Sequence, residues 1–178
     1  TAGLSPDDVV VDVACGTGDL TIAFARRLNH AGAKLRKGQV IGIDFTFEML
    51  PIATRKGKDR ALWINGDAQA IPLPDACCDV VSIAFGIRNV QDPLAAMRQF
   101  HRILRPGGRL VILEFSLPTN AFIRNVYNFY FRQILPRTAT LISWDRTGAY
   151  RYLPESVNTF IDRPKMAALM QEAGFESV

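Results

Sequence analysis

The chain has 178 residues, of which 48% are hydrophobic and 21% are charged. This length suits one domain with a sizeable core, and the composition excludes a disordered or collagen-like chain. The longest nearly continuous apolar runs, residues 80–85 and 110–113, are far too short to span a bilayer, and residues 1–8 carry no secretory signal. Three cysteines, two of them adjacent, match neither a disulfide framework nor a zinc site, so we expect a reducing cytoplasm and no metal.

The net charge of +4 is concentrated in one part of the chain. Residues 122–151 contain five arginines against one acid, Asp145, together with seven of the aromatic residues. Such a patch could meet nucleic acid, a lipid surface or an apolar substrate.

Strand-like and helical patterns alternate along the chain. Strands are predicted at residues 9–13, 39–43, 62–64, 79–85 and 109–115. Helices are predicted at residues 20–28, 48–55, 93–104, 121–135 and 164–173. Asp92 is the expected N-cap of the third helix, and residues 105–108 (RPGG) break it before the fifth strand. The alternation predicts an α/β fold with a mostly parallel sheet and helices on both faces.

The turn from the first strand to the first helix contains Gly16, Thr17 and Gly18. Glycines let a backbone approach a ligand closely, and the following helix start offers free N–H groups. A dinucleotide fingerprint would need a third glycine where Thr21 stands, and the acid at Asp12 does not suit a pyrophosphate. Both features favour S-adenosylmethionine (SAM), which has a positively charged end and no phosphate, over NAD.

Two further acids follow predicted strands. Asp44 ends the second strand, where a carboxylate can accept hydrogen bonds from both ribose hydroxyls. Asp67 follows the third strand and could accept a hydrogen bond from the adenine amine. The turn at residues 105–108 is typical of SAM methyltransferases.

Three segments carry a more specific resemblance: residues 84–90 (AFGIRNV), 113–116 (LEFS) and 150–156 (YRYLPES). With the glycine loop, they make the chain resemble the ubiquinone/menaquinone biosynthesis C-methyltransferases, a family of class I SAM-dependent methyltransferases that includes demethylmenaquinone methyltransferases. The resemblance implies a Rossmann-like fold in one domain, residues 1–178, with residues 116–163 as a substrate-covering helical insertion. It also implies that the N-terminal helical segment and the last edge strands of the family are lacking.

The resemblance further implies an enzyme that methylates a ring carbon of a polyprenyl hydroquinone, converting demethylmenaquinol to menaquinol, serving ubiquinone biosynthesis, or both. By position it implies contacts with SAM at Thr17, Asp44, Asp67, Ala68 and Ala84. Ala84 replaces the family's usual serine, so only a backbone contact is expected there. Together with the loop argument, the predicted cofactor-binding set is Asp12, Gly16, Thr17, Gly18, Asp44, Asp67, Ala68 and Ala84.

Carbon methylation needs a ring hydroxyl to ionise, so we expect a fixed cation or a base near that oxygen. Arg88 is predicted to hold the developing phenolate, and Asn89 to orient it or an intervening water. Asp19 and Asp145 are alternative bases, and Asp19 could instead bind the ammonium group of SAM. The predicted substrate-binding residues are Phe85, Arg88, Asp145, Tyr150 and Tyr152.

The aromatic stretch at residues 122–135 is predicted to roof a tunnel for the prenyl tail, with its arginines near anionic lipid headgroups. We therefore expect a polyprenyl quinol as partner, no nucleic acid, and a cytoplasmic protein with peripheral contact at the inner membrane surface. A dimer face is an alternative use of the same stretch. Two other functions stay open: methylation of another small lipophilic acceptor, and a non-catalytic SAM-binding module.

Overall fold

A computed structural model describes residues 3–30, 39–114 and 161–178. The chain divides into two units, residues 1–114 with 167–178 and residues 115–166, and the contacts discussed below belong to the first. The predicted helix at residues 121–135 and most of the predicted insertion at 116–163 lie outside the described residues.

Five strands and four helices alternate in the described part of the chain. The strands are β1 (Val10–Val13), β2 (Val40–Asp44), β3 (Leu62–Asn65), β4 (Cys78–Ala84) and β5 (Leu104–Leu113). The helices are α1 (Asp19–His30), α2 (Met49–Gly57), α3 (Pro93–Ile103) and α4 (Arg163–Glu172). Short 3-10 turns occupy Lys58–Arg60 and Ile87–Asn89.

The strands form one parallel sheet in the order β3-β2-β1-β4-β5. The connections run outward in opposite directions from the centre, so the order reverses between β1 and β4. Because parallel crossovers are right-handed, α1 and α2 lie on one face and α3 on the other. The predicted parallel sheet with helices on both faces is confirmed.

The core lies on both sides of the central strands. All four residues of β1 are buried, as expected for a β-branched run covered on both faces. On α1 the residues Ile22, Ala25 and Leu28 are buried, and their spacing places them on one helix face. On α3, Met97, Phe100 and Ile103 are fully buried.

The start of α3 has the predicted cap. The Asp92 carboxylate accepts hydrogen bonds from the backbone N–H groups of Leu94 and Ala95, both at 3.0 Å, and Pro93 is the first helical residue. These contacts satisfy two of the N–H groups that a helix start leaves without partners. None of the described helices combines the length and the hydropathy that crossing a bilayer requires.

The fifth strand differs from its prediction. It begins at Leu104, directly after α3, and residues 105–108 form a bulge within it instead of a separate turn. Leu104 pairs with Cys78 and Arg109 pairs with Val80, so the extra residues bulge out of the ladder. Gly107 has a φ of +78°, which glycine adopts readily, and the Arg105 guanidinium binds Asp79 at 2.7 Å.

Candidate functional site

A cleft of about 520 Å³ opens at the carboxyl ends of the strands, where the sheet order reverses. Its walls come from the segments that follow β1, β2, β3 and β4. This is where ligands bind in open α/β sheets, and the volume is in the range of small-molecule sites. The lining residues are Val13, Ala14, Gly16, Asp44, Phe45, Thr46, Met49, Gly66, Asp67, Ala68, Gln69, Ala84, Phe85, Gly86, Asn89, Val90 and Gln91.

The glycine loop forms the floor of the cleft. Ala14 and Gly16 both have a φ of +54°, and Gly18 has a φ of +83°. Gly16 needs this left-handed backbone to turn its N–H toward the Asp44 carboxylate, which accepts it at 2.7 Å. The loop therefore depends on β2 for its conformation as much as on its own glycines.

Asp44 is the central acid of the site. One carboxylate oxygen accepts from Gly16 N–H and the other from Thr46 N–H at 2.8 Å, and the residue is 7% exposed. The Asn65 side chain donates to the backbone oxygens of Asp44 and Phe45, at 2.9 and 3.0 Å. A carboxylate offers about four acceptor positions, so Asp44 keeps capacity for ligand hydroxyls.

Asp67 and Ala68 line the neighbouring wall. The Asp67 carboxylate accepts hydrogen bonds from Gln69, whose side-chain Nε2 lies 3.2 and 3.3 Å from its two oxygens and whose backbone N–H donates at 2.9 Å. The Gln69 oxygen in turn accepts from Asp92 N–H at 3.0 Å. This wall is thereby joined to the start of α3.

The carboxyl of Asp12 lies below the loop instead of on the cleft wall. It is 1% exposed and accepts a hydrogen bond from the Thr21 hydroxyl at 2.6 Å. Burial raises the pKa of Asp12 to about 6, against the opposing effect of hydrogen bonds from Thr21 and Ser82. Burial and the nearby carboxylates raise the pKa of the Cys15 thiol to about 12, so this thiol is protonated at neutral pH.

Asp19 and Thr17 face Lys56 on the outer side of the loop. The Lys56 ammonium lies 2.8 Å from the Asp19 carboxylate and 3.0 Å from the Thr17 hydroxyl. These hydrogen bonds lower the pKa of the largely exposed Asp19 carboxyl. A carboxylate with a lowered pKa is a weak proton acceptor, so this placement counts against Asp19 as the base.

The end of β4 makes a sharp turn into the cleft. Phe85 has a φ of +56°, which ends the strand, and its 40%-exposed side chain lines the cleft. Its N–H donates to the Leu113 oxygen at 2.8 Å. A Cβ at Gly86 would overlap the Cβ of Ala14, so this position needs glycine for the two loops to approach. A non-glycine residue held at positive φ is strained, and such strain is concentrated at functional sites.

Arg88 and Asn89 follow in the same segment but face different partners. The Arg88 guanidinium forms an ion pair with Glu114 at 2.5 Å, and both side chains are less than a tenth exposed. Asn89 lines the cleft. Arg88 is therefore held next to the end of β5, whereas Asn89 and Gln91 are polar residues of this segment that line the cavity.

Three of the predicted substrate-binding residues, Asp145, Tyr150 and Tyr152, lie outside the described residues. Among the described residues, no group of three or more His, Cys, Asp or Glu side chains could hold a metal ion.

Sequence reasoning missed several residues that shape the site. Phe45 and Met49 line the cleft beside Asp44, and Phe45 is 75% exposed. Phe45 could have been found from the sequence, because it directly follows Asp44, the acid that ends β2. Gln69 was missed because its link to the start of α3 joins residues 23 apart in the chain. Glu114 belongs to the segment at residues 113–116, but nothing local in that segment indicates its pairing with Arg88, 26 residues away.

The residues of the cleft fit SAM. Asp44 can accept hydrogen bonds from ribose hydroxyls, and Phe45 and Met49 offer apolar surface to a flat adenine ring. The backbone N–H groups at the start of α1 suit a carboxylate, since a helix start carries partial positive charge.

Solved structures share this architecture. A SAM-dependent methyltransferase from Aquifex aeolicus superimposes with a TM-score of 0.67 at 20% identity, covering 98% of this chain and 75% of its own. The YcgJ protein of Bacillus subtilis gives a TM-score of 0.66 at 19% identity, with 97% and 63% covered. At such identities the likeness concerns the fold, which is that of the class I SAM-dependent methyltransferases.

Sequence comparison identifies the family within this class of methyltransferases. The model of the ubiE/COQ5 methyltransferase family matches residues 2–178. The ubiquinone/menaquinone biosynthesis C-methyltransferase UbiE of Shewanella oneidensis is 38% identical over 182 residues, which cover 99% of this chain and 70% of that protein. The UbiE protein of Shewanella baltica strain OS155 is similar to the same extent. This chain belongs to the ubiE/COQ5 methyltransferase family, as its sequence motifs predict.

Proposed function

We propose that this chain transfers a methyl group from SAM to a ring carbon of a polyprenyl hydroquinone, converting demethylmenaquinol to menaquinol, serving ubiquinone biosynthesis, or both. The observation that carries the proposal is the family match over residues 2–178, in a chain whose cleft fits SAM. Bound SAM supplies the methyl group on a positively charged sulfur. The chain's own residues must bind both molecules and promote ionisation of the ring hydroxyl.

Ionising the hydroxyl is the costly step for the protein. A phenolic group near pKa 10 loses its proton at pH 7 at a cost of about 4 kcal/mol. We propose that the Asn89 amide, which lines the cleft, hydrogen-bonds the hydroxyl or an intervening water. Preorganised donors of this kind stabilise charge as it develops.

The pairing of Arg88 with Glu114 favours a different role for Arg88 from direct contact with the phenolate. Because Glu114 largely neutralises the guanidinium, the pair contributes little net charge to the cleft. We propose that Arg88 acts as a positioning residue, which holds Phe85 and Asn89 at the cavity by fixing the segment between them to β5. Direct stabilisation of the phenolate by Arg88 is the competing proposal.

The base is proposed to be Asp145, since Lys56 holds Asp19 in its ionised form outside the cleft.

Phe85 is proposed to pack against the hydroquinone ring, because its exposed side chain lines the cleft. Tyr150 and Tyr152, with the aromatic stretch at residues 122–135, remain the proposed tunnel for the prenyl tail.

The test of this function is transfer of a labelled methyl group from SAM to demethylmenaquinol and to the benzoquinol precursor of ubiquinone. Transfer to one acceptor alone assigns the protein to menaquinone or to ubiquinone biosynthesis. Transfer to both indicates a site that recognises the hydroquinone ring and its tail, which the two acceptors share. Binding of SAM without transfer to either acceptor would contradict the proposal. Other lipophilic acceptors would then be assayed. If none is methylated, the remaining hypothesis is a non-catalytic SAM-binding module.

We also propose that the protein is cytoplasmic and contacts the inner membrane peripherally, since a polyprenyl quinol resides in the bilayer. Flotation with liposomes is the measurement, and we expect stronger binding with anionic lipid at low salt. Binding that is absent at low salt contradicts the membrane proposal. Sedimentation of the unbound protein distinguishes a monomer from a homo-oligomer.

A further inference from the structure

The indole ring of Trp63 fills a space that three glycines leave open. Trp63 lies on β3 in register with Gly42 of β2. A Cβ atom added at Gly18, Gly42 or Gly57 would lie 2.5, 2.6 and 2.6 Å from the ring atoms Cη2, Cζ3 and Cζ2 of Trp63. Real Cβ contacts are essentially never that short, so the indole and these glycines require each other.

The three glycines belong to three different elements. Gly42 is in β2 and Gly57 ends α2, whereas Gly18 is the last glycine of the loop that precedes α1. The benzene edge of the indole therefore packs where the loop, a strand and a helix end meet. The indole N–H is buried and has no acceptor among the described residues, so shape and not hydrogen bonding determines this contact.

Gly18 sets the point at which the loop becomes helix. Its N–H donates to the Cys15 oxygen at 2.9 Å, and its own oxygen accepts from Ile22 N–H at 2.9 Å. Gly16, two residues earlier, lines the cleft and donates to Asp44. A displacement of Gly18 would consequently move both the Gly16 backbone and the start of α1.

We propose that Trp63 is a positioning residue for the cofactor: it supports the glycine loop from below and thereby holds the loop and the α1 start in the conformation that binds SAM. This inference rests on the proposed function only in taking SAM as the ligand. Trp63 is not among the residues that line the cleft, so its effect passes through Gly18.

The experiment compares Trp63→Leu with Phe100→Leu in the whole chain. Phe100 is a fully buried residue of α3, on the other face of the sheet, and serves as the control for lost packing. S-adenosylhomocysteine, the demethylated product, is the probe, because its binding needs no quinol. Calorimetry measures its Kd at a temperature below all melting transitions, and circular dichroism measures Tm.

We expect Trp63→Leu to raise the Kd for S-adenosylhomocysteine by about tenfold or more, since small displacements of a binding loop are costly. Phe100→Leu should lower Tm but change this Kd by less than about twofold, as expected for a distant site. An unchanged Kd in Trp63→Leu overturns the proposal, as does an equal increase in Phe100→Leu.

Gly42→Ala, which keeps Trp63, tests the same contact if Trp63→Leu folds poorly. Gly42→Ala places a methyl group against the indole at a position whose φ is ordinary for alanine. It should weaken binding of the probe, and Trp63→Leu in the same chain should relieve the collision. We expect the double variant to bind more tightly than the two single effects predict, and strictly additive effects would contradict the coupling.

The outcomes separate this inference from the proposed function. If the parent protein binds S-adenosylhomocysteine but methylates no quinol, the proposed function is wrong. The comparison of Trp63→Leu with Phe100→Leu still tests the role of Trp63 in that case. A parent protein that does not bind the probe overturns both.

Discussion

Asp12 brings a carboxyl group into the interior of the sheet, directly below the loop that lines the cleft. Its contact with the Thr21 hydroxyl joins β1 to the first turn of α1, and Ser82 adds a hydrogen bond from β4. The acid of the loop motif thus stabilises the loop's surroundings, whereas Asp44 is the carboxylate that faces the cleft. Both acids are buried, and their roles differ because Asp44 lines the cleft whereas Asp12 does not.

The raised pKa of Asp12 predicts how the free energy of unfolding depends on pH. Between the ordinary pKa of 3.8 and the folded value of about 6, the native state holds a proton that the unfolded state has lost. The contribution of Asp12 to the free energy of unfolding therefore falls as pH rises through this interval. Relative to the parent, we expect Asp12→Asn to gain about 2 kcal/mol of stability between pH 4 and pH 7, measured by urea unfolding.

Thr21→Val is the matched control for this prediction. In the parent, the Thr21 hydroxyl donates a hydrogen bond that lowers the pKa of Asp12. Its removal should raise this pKa further, so the interval over which stability falls should extend to higher pH. A stability difference between Asp12→Asn and the parent that does not change with pH would contradict the buried, protonated carboxyl.

At the scale of elements, the segment from β4 to α3 carries much of the site. It is held by the Phe85 N–H bond to Leu113 and by the buried ion pair between Arg88 and Glu114. Both contacts join the end of β4 to the end of β5. The conformation of this segment, including the strained φ of Phe85, is therefore maintained by the neighbouring strand.

This arrangement predicts that Arg88 and Glu114 act together. Arg88→Ala leaves the Glu114 charge buried and should cost about 3 kcal/mol of stability or more. If the pair positions the segment, Arg88→Ala and Glu114→Gln should both lower kcat by about tenfold or more, with little change in SAM affinity. If the guanidinium acts directly on the phenolate, Glu114→Gln should retain activity while Arg88→Ala loses it. Steady-state kinetics with saturating SAM distinguishes the two.

At the scale of the whole molecule, the cleft depends on four chain segments that meet only in the folded sheet. A ligand that binds this folded arrangement alone must stabilise it by mass action. At a hundred times its Kd, S-adenosylhomocysteine should add about 2.7 kcal/mol to the free energy of unfolding. Thermal unfolding with and without this ligand measures the effect.

Two controls accompany that measurement. Asp44→Asn replaces one of the two oxygens that accept from Gly16 and Thr46, so most of the stabilisation by the ligand should be lost. NAD at the same concentration should give no comparable shift, because the loop lacks the third glycine of a dinucleotide site. Equal stabilisation by NAD would contradict the assignment of SAM.

Much of the architecture follows from patterns that are local in the chain. The β-branched run of β1, the spacing of apolar residues on α1, and the cap at Asp92 each act within a few residues. The loop glycines and the strand-ending Asp44 also stand where a parallel sheet places its ligand site. For these reasons the parallel α/β sheet, the position of the cleft, and the presence of Asp44 and Asp67 in its walls could be predicted, whereas Ala68 was implied only by the family resemblance.

The boundaries of β5 could not be predicted in this way, because a strand that contains a bulge looks like a turn followed by a strand. Residues 105–108 carry the composition of a turn, yet pairing with β4 and the ion pair between Arg105 and Asp79 keep them within the strand. Contacts with a neighbouring element outweigh local preference here.

The succession of elements, the family and the motifs that surround the cleft could all be predicted from the amino-acid sequence, since all three are encoded in short stretches of residues. The directions of the charged side chains emerge only in the folded protein: Asp12 points into the interior, Asp19 toward Lys56, and Arg88 toward Glu114. A side chain's partner is determined by proximity in space, and the two ion pairs join residues 37 and 26 apart in the chain. Burial and pairing then set each group's charge, and so its role.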